Sequence, residues 1–421
     1  MSNIITMENI KSKQRNSIKW HDITYQKDGT PVPQKTWYNV QAVLEYRGVR
    51  VVKNEITHEI DFLGLNGCSS RNGQLEEIRT MLIQEGLNLD AGTVLSTINR
   101  IAEEYTYNPF VEMCVKNENT DYDIIDRLFE FLPIDPEKKK DEDLMRILFQ
   151  TWLVNVVKLA HNTLEKQYRT NGMLILLGGQ GARKSTFFSR LVPIKNLFKG
   201  DMGLDKEKDS KIQNTKYLMV EWGEIDGTMK SEQTAMLKQF ITATSDEYRA
   251  PYARVSEVYP RRTSFCGTVN KPDFLKDETG SRRYWVIPLN PDKNIKINIE
   301  KMEEEIDFEK LWGAVYSMWK HGIAKDYLPP ELEERHKEFN AQFNFQTDTT
   351  IVLDEKLDWE SDESTWEVYS LTEISNYLFI KEKKQLKQEL EKRGLEYKTY
   401  RLRTGRLKKG FKIPRIDVRI S

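Results

Sequence analysis

The sequence predicts an α/β protein whose core is a parallel sheet carrying a phosphate-binding loop. Two observations point there. From Gly172 onward, short apolar runs (Met173–Leu177, Tyr217–Val220, Thr263–Val269 and Tyr284–Leu289) alternate with helical spacing such as Ser231–Ala243, as in sheets covered on both faces. The first of these runs leads directly into Gly178-Gly179-Gln180-Gly181-Ala182-Arg183-Lys184-Ser185-Thr186 and a helix through Leu191. Around this core the sequence suggests an α+β N-terminal domain (1–120), a helical collar (121–165), the core itself (166–345), an acidic linker (346–365) and a C-terminal winged helix (366–421).

Each flanking segment has its own pattern. Val40–Leu44 and Val49–Val52 read as strands, and Leu75–Gln84 and Ala91–Glu104 as helices. Ile124, Ile125, Leu128 and Phe129, then Leu144, Ile147, Leu148, Trp152 and Val156, keep helical spacing on either side of the charged segment Pro136–Asp143. Between Gln346 and Thr365 lie Asp348, Asp354, Glu355, Asp358, Glu360, Asp362 and Glu363. From Lys381 to Ser421 there are 15 Lys/Arg against 5 Asp/Glu. That switch of sign suggests a linker followed by a basic module. Leu371–Phe379 and Lys383–Arg393 read as helices, with Tyr397–Arg403 and Gly410–Ile413 as strands around a basic turn at Thr404–Lys409. Lys384, Lys387 and Arg393 on the second helix, with Arg403, Arg406, Lys408 and Lys409 on the wing, are the candidate phosphate contacts.

Composition narrows the class. Of 421 residues, 31% are charged and 38% hydrophobic, and the net charge of −1 says nothing by itself about nucleic acid. No apolar run approaches the ~18 residues of a membrane span. The first twenty residues lack the apolar core of a signal peptide, which leads us to expect a cytoplasmic protein without membrane contact. Cys68, Cys114 and Cys266 fall in no metal or redox spacing, and the five histidines (His21, His58, His161, His321 and His336) show no ligand pairing.

The glycine loop has the layout of a nucleotide site. Gly178, Gly179 and Gly181 permit the tight turn that aims successive N–H groups at phosphate oxygens, and the helix beginning near Lys184 adds its positive end. Lys184 would reach the β/γ-phosphates, and Ser185 would offer its hydroxyl to Mg²⁺. In the usual G-x-x-x-x-G-K-[ST] pattern a glycine precedes the lysine, whereas this chain has Arg183. Its side chain either turns outward or crowds the β-phosphate; it either weakens affinity or adds a phosphate contact. Glu221 and Glu224, after the run Tyr217–Val220, place two carboxylates at the mouth of the sheet. One suits the metal and the other an attacking water.

The block YLMVEWGEI, then LKQFITATSDEYRAPYARVSEVYPRRTSFCGTVNKPDFLKDETGSRRYWVIPL, resembles the virulence-associated protein E family of prophages and mobile islands, which is related to superfamily-3 helicases of the AAA+ class. The resemblance is carried by YRAPY, GTVN and DETGSRRYW, spans about Asn171–Leu289 and extends from about residue 120 to 345. It implies a P-loop AAA+-like ATPase core with Glu221 and Glu224 as Walker B acids. It further implies Asn270 as the polar sensor, and Arg282 and Arg283 as a pair completing a neighbouring subunit's ATP site. Lys238 and SDEYRAPY match the helicase motif between Walker B and sensor. In related ring helicases a hairpin placed like Arg249–Arg262 grips DNA in the central channel, with Arg249, Tyr252 and Arg254 the matching contacts here.

The function expected is therefore an ATP- and Mg²⁺-dependent DNA helicase or translocase serving replication of a prophage or mobile element. Its expected partners are single-stranded or forked DNA, other copies of itself in a hexameric ring, and replication proteins of host or element. The rival readings are a nucleotide-switched DNA-binding initiator or regulator that hydrolyses poorly because of Arg183, and a phage-interference protein.

Overall fold

The computed structural model describes residues 18–68, 70–170, 172–200, 215–223, 241–248, 256–275, 281–344, 348–402 and 404–416. They fall into two compact units, the first within Met1–Pro272 and Asp277–Gln342, the second within Asp273–Lys276 and Phe343–Ser421.

The first unit opens with a small α+β layer. Strands β1 (Ile23–Tyr25) and β2 (Pro31–Pro33) form a hairpin, while β3 (Arg50–Asn54) pairs antiparallel with β4 (Ile60–Leu63) and parallel with β5 (Thr106–Tyr107). Helices Trp37–Tyr46, Arg71–Gln84 and Ala91–Glu104 bury Val43, Ile78, Leu82 and Ile98 against this layer. The run Val40–Leu44, expected as a strand, lies inside the first of these helices. A short apolar run fits either element, and the Thr36 side chain accepting from Asn39 N–H as an N-cap decides for helix. Helix Pro109–Lys116, counted by sequence with this layer, instead packs on helix Phe308–Lys320, where Phe110 meets Trp312 edge-on at 5.0 Å.

The core sheet is formed by β6 (Met173–Leu177), β7 (Phe198–Lys199), β8 (Met219–Trp222), β11 (Ser264–Val269) and β12 (Tyr284–Pro288). Its order is β12-β6-β11-β8-β7, with every pairing parallel. A separate antiparallel pair, β9 (Ser245–Tyr248) with β10 (Glu257–Pro260), precedes β11. The Ser231–Ala243 helix expectation lies largely outside the described residues.

Helix Glu142–Ala160 lies in the segment expected as a helical collar. Buried almost throughout its length, it packs against the sheet, where Trp152 Nε1 donates to the Phe265 carbonyl at 2.9 Å. A helix apolar all round is one enclosed by other elements. Helix Phe308–Lys320 covers it further out, with Gln150 Nε2 3.6 Å from Met318 Sδ.

The second unit holds helices Asp348–Lys356, Leu371–Tyr377 and Lys383–Lys392 and a three-stranded antiparallel sheet. The sheet order is β13 (Glu367–Tyr369), β15 (Leu407–Ile413), β14 (Lys398–Arg401). The acidic stretch expected as a linker is largely structured: Leu353 and Leu357 enter the same core as Ile374, Leu386, Leu390 and Phe411. Its carboxylates lie on the outer side of that packing, and the net charge concealed the apolar positions between them.

Gly313 is the tightest approach in the first unit. An added Cβ would collide with the Asn117 carbonyl, at a place where Asn119 Nδ2 also donates to the Lys310 carbonyl at 2.8 Å. Gly313→Ala, which raises helix propensity, should therefore destabilise the protein by about 1–3 kcal/mol. Urea unfolding of the variant checks the sign.

Candidate nucleotide site

The loop after β6 sits at the carboxyl end of the parallel sheet, between the ends of β12 and β11, where open α/β sheets bind ligands. Two residues make its turn left-handed: Gly181 at φ 86° and Arg183 at φ 64°. Glycine takes such a backbone freely, whereas a side chain with a Cβ is strained there. The usual glycine before the lysine has its explanation in this turn, and Arg183 occupies that place at a conformational cost. Its side chain turns outward, and its guanidinium lies 2.5 Å from Glu300 Oε2 on helix Ile299–Glu305. Of the two alternatives left open by sequence, the outward one is observed. The loop is closed from outside by Ile297, whose N–H donates to the Ala182 carbonyl at 3.3 Å.

Helix Lys184–Leu191 starts at this turn, anchored by buried Phe187 and Phe188 and by Trp312 Nε1 donating to the Leu191 carbonyl at 2.6 Å. Its first turn carries the N–H groups left without intrahelical acceptors. Lys184 is 7% exposed, and its ammonium donates to the carbonyls of Gly178 and Gly179 and, at 3.0 Å, to Asn270 Oδ1. Burial pushes its pKa down to about 8, with Glu221 acting in the opposite direction. Ser185 Oγ donates to Glu221 Oε1 at 2.6 Å, and Thr268 Oγ1 donates to the same oxygen at 2.9 Å. Glu221 is 2% exposed, and among the described residues no lysine or arginine nitrogen lies within ion-pair distance of it. A buried carboxylate held by two hydroxyls beside a phosphate-type loop suits a divalent cation.

Thr268 escaped the sequence reading. The signal was present, since Thr268 near the end of β11 stands two positions before Asn270, which directly follows the strand, and alternate positions of an extended chain share a side. Glu300 was missed because its contact with Arg183 spans 117 positions of sequence.

Not every expected residue joins this cluster. Gln180 and Thr186 belong to the loop and helix, with Ser189 Oγ donating to the Thr186 carbonyl at 2.8 Å. Arg282 and Arg283 form a short 3-10 turn before β12. Because Tyr284 pairs with Met173 and Pro288 with Leu177, they sit at the opposite end of the sheet from Lys184 of the same chain. Glu224, Lys238, Arg249, Tyr252, Arg254 and Arg403 lie outside the described residues.

Of the hairpin expected over Arg249–Arg262, residues 249–255 lie outside the described residues. The antiparallel stem observed pairs β9, which precedes that span, with β10, and in it Tyr248 and Tyr259 stack at 4.5 Å. The arginines at its base are not surface cations. Arg261 is 2% exposed and makes a two-pronged ion pair with Asp246, while Arg262 donates to the Glu55 carbonyl at 2.8 Å and pairs with its carboxylate at 3.1 Å. His58, itself at φ 59°, packs against Tyr259 with the rings tilted and their centroids 4.5 Å apart. Burial first, and then Arg262, Lys216 and Lys53, push its pKa down to about 3, so the imidazole is neutral at physiological pH. The other buried histidines are held by carbonyls, as with His161 on Val157 and His336 on Tyr284.

In the second unit Lys384, Arg406 and Lys409 are exposed and Lys387 half-buried. Lys408 pairs with Glu373 at 2.8 Å, and Arg393 with Asp354 at 2.6 Å while covering the Trp359 ring. Arg393 is thus held within the unit as a packing cation.

A family model described as the virulence-associated protein E-like domain matches residues 117–345, more than half of the chain. The chain belongs to this family. No curated protein matches it in sequence. Among solved structures it is similar to the apo structure of the NrS-1 C terminal region (305–718), with 12% identity, 90% of this chain and 100% of that chain covered, and a TM-score of 0.48. It is also similar to an X-ray structure of JCV helicase, with 12% identity, 68% and 84% covered, and a TM-score of 0.27. The family match begins at residue 117, beyond the α+β layer, and includes the whole sheet and its loop.

Two outcomes are expected at this site. Thr268→Val leaves Glu221 one donor short and should lower stability by about 1–3 kcal/mol, with Thr268→Ser close to wild type in chemical denaturation. Bound phosphate favours the ammonium form of Lys184, so nucleotide binding should take up a proton above pH about 8, and affinity should fall as pH rises through that value. Calorimetric titration of a nucleotide in buffers of differing ionisation heat measures that uptake.

Proposed function

We propose that the chain is an ATP-driven DNA helicase or translocase of a prophage or mobile element, acting in DNA replication as a homo-oligomeric ring. One observation carries the reading: Lys184 and Ser185, at the start of one helix, meet Asn270 and Glu221 at the ends of two other strands. Membership of the virulence-associated protein E-like family supports the same class.

In this reading the amides of Gly178–Thr186 and the Lys184 ammonium hold the triphosphate, as in other phosphate loops. Ser185 and Glu221 would hold Mg²⁺, which when bound neutralises charge developing on the phosphoryl oxygens. Asn270, 3.0 Å from Lys184 Nζ, would orient the γ-phosphate or the attacking water, and Glu224 would polarise that water. Lys184 exchanges its carbonyl partners for phosphate oxygens on binding. Arg282 and Arg283 cannot serve the loop of their own chain from the far end of the sheet, which favours the role of a cation supplied to a neighbouring subunit. Lys238, Arg249, Tyr252 and Arg254 would contact DNA in the channel. Lys384, Lys387, Arg403, Arg406, Lys408 and Lys409 would neutralise phosphates from a winged helix, a reading supported by the three helices and three-stranded sheet of the second unit.

The strained Arg183 favours a second reading, in which nucleotide acts as a structural switch with little turnover. Turnover separates the two. Mg²⁺-dependent hydrolysis stimulated by single-stranded DNA should fall at least ~10²-fold in Lys184→Ala. A wild-type rate equal to that of the variant would establish the switch instead. In the same assay, mixing an Arg282→Ala/Arg283→Ala chain with a Glu221→Gln chain should restore part of the activity, and no rescue at any ratio would remove the shared site.

A further inference from the structure

The second unit presents an aromatic ring at a backbone position that disfavours one. Helix Leu371–Tyr377 ends with Leu378 N–H donating to the Ile374 carbonyl at 3.0 Å and Ile380 N–H to the Ser375 carbonyl at 2.9 Å. This ending puts Phe379 in the left-handed region, at φ 57°, a place normally filled by glycine or asparagine. Its neighbours Leu378 and Ile380 are 6% and 7% exposed and belong to the core, whereas Phe379 is 89% exposed. Strained backbone and a hydrated phenyl ring both oppose this residue, and the helix ending itself requires no side chain there. Packing of this unit therefore does not account for it.

The surroundings indicate what does. Lys381, Lys383 and Lys384 are exposed just beyond the ring, with Glu382 the one acid before Gln388. Lys383 Nζ is turned back to Thr372 Oγ1 at 3.3 Å, at the other end of the helix that Phe379 terminates. A rigidly mounted aromatic face beside clustered cations has the chemistry of a single-stranded nucleic-acid contact, in which a base stacks on the ring and lysines neutralise the flanking phosphates. Duplex DNA offers no free base face for such a ring. We propose that Phe379 is a base-stacking contact for single-stranded DNA, with Lys381 and Lys384 holding the adjacent phosphates. The proposal rests on the reading of the chain as a DNA-acting protein and adds a contact that needs no duplex.

Stacking and phosphate contacts differ in salt dependence, and this provides the test. The full chain is titrated with a labelled oligothymidylate over a range of salt concentrations, as wild type, Phe379→Ala, Phe379→Gly and Lys384→Ala. Both Phe379 variants should bind more weakly by roughly five- to a hundredfold with an unchanged salt slope, whereas Lys384→Ala should reduce the slope by about one. Phe379→Gly, released from strain, should melt at the wild-type temperature or above. Wild-type affinity in both variants would overturn the proposal and point to a protein partner at the ring. Weaker binding accompanied by a lower melting temperature in Phe379→Gly would overturn it in favour of a structural role. Failure of the wild-type chain to bind the oligonucleotide at all would remove the DNA reading itself.

Discussion

The left-handed turn at the end of β6 governs the geometry of the site. Without positive φ at Gly181 and Arg183, the following helix could not begin where Lys184 reaches Asn270 and Ser185 reaches Glu221. The parallel sheet supplies the other half of the constraint. Glu221 lies on β8 and Asn270 directly follows the neighbouring β11, and the two strands hold a fixed register, with Glu221 beside Cys266 and Val269 beside Leu177. Moving either strand by one residue would turn the polar side chain to the other face, so pairing and turn together define the cluster.

Strain is concentrated rather than spread. Among the described residues, the non-glycine positions with positive φ are His58, Arg183, Asn196 and Phe379. Arg183 lies in the phosphate loop, His58 under the hairpin stem and Phe379 at an exposed helix end beside lysines. Backbone of this kind persists where the surroundings hold it, and proteins retain it most often at sites of function. At Arg183 the outward contact with Glu300 leaves the interior of the loop clear.

The α+β layer at the start of the chain is joined to the hairpin stem by buried groups. Glu55 receives Arg262, and the neutral His58 ring packs at a tilt against Tyr259 of the stem. Buried charged contacts depend strongly on geometry, because separating them leaves an ion without solvent. The base of the hairpin is therefore fixed by two parts of the chain distant in sequence. Arg261 and Arg262 at that base are engaged within the fold.

The sequence by itself determined the local features: the glycine loop, the apolar strands, the lysine and serine at the helix start, and the helices of the basic module. Each depends on neighbours within a few residues, through backbone freedom, periodicity or capping. Only the tertiary structure decided which polar groups meet. Thr268 joins Glu221 through strand register, and Arg183 finds Glu300 across more than a hundred residues. The helix Glu142–Ala160 proved to be core because its partners lie far along the chain, and the acidic helix Asp348–Lys356 because Leu353, with Leu357 just beyond the helix, counts for more than its net charge. Charge and period are written locally, but burial is a property of what folds over a residue, and that information resides in the assembled chain.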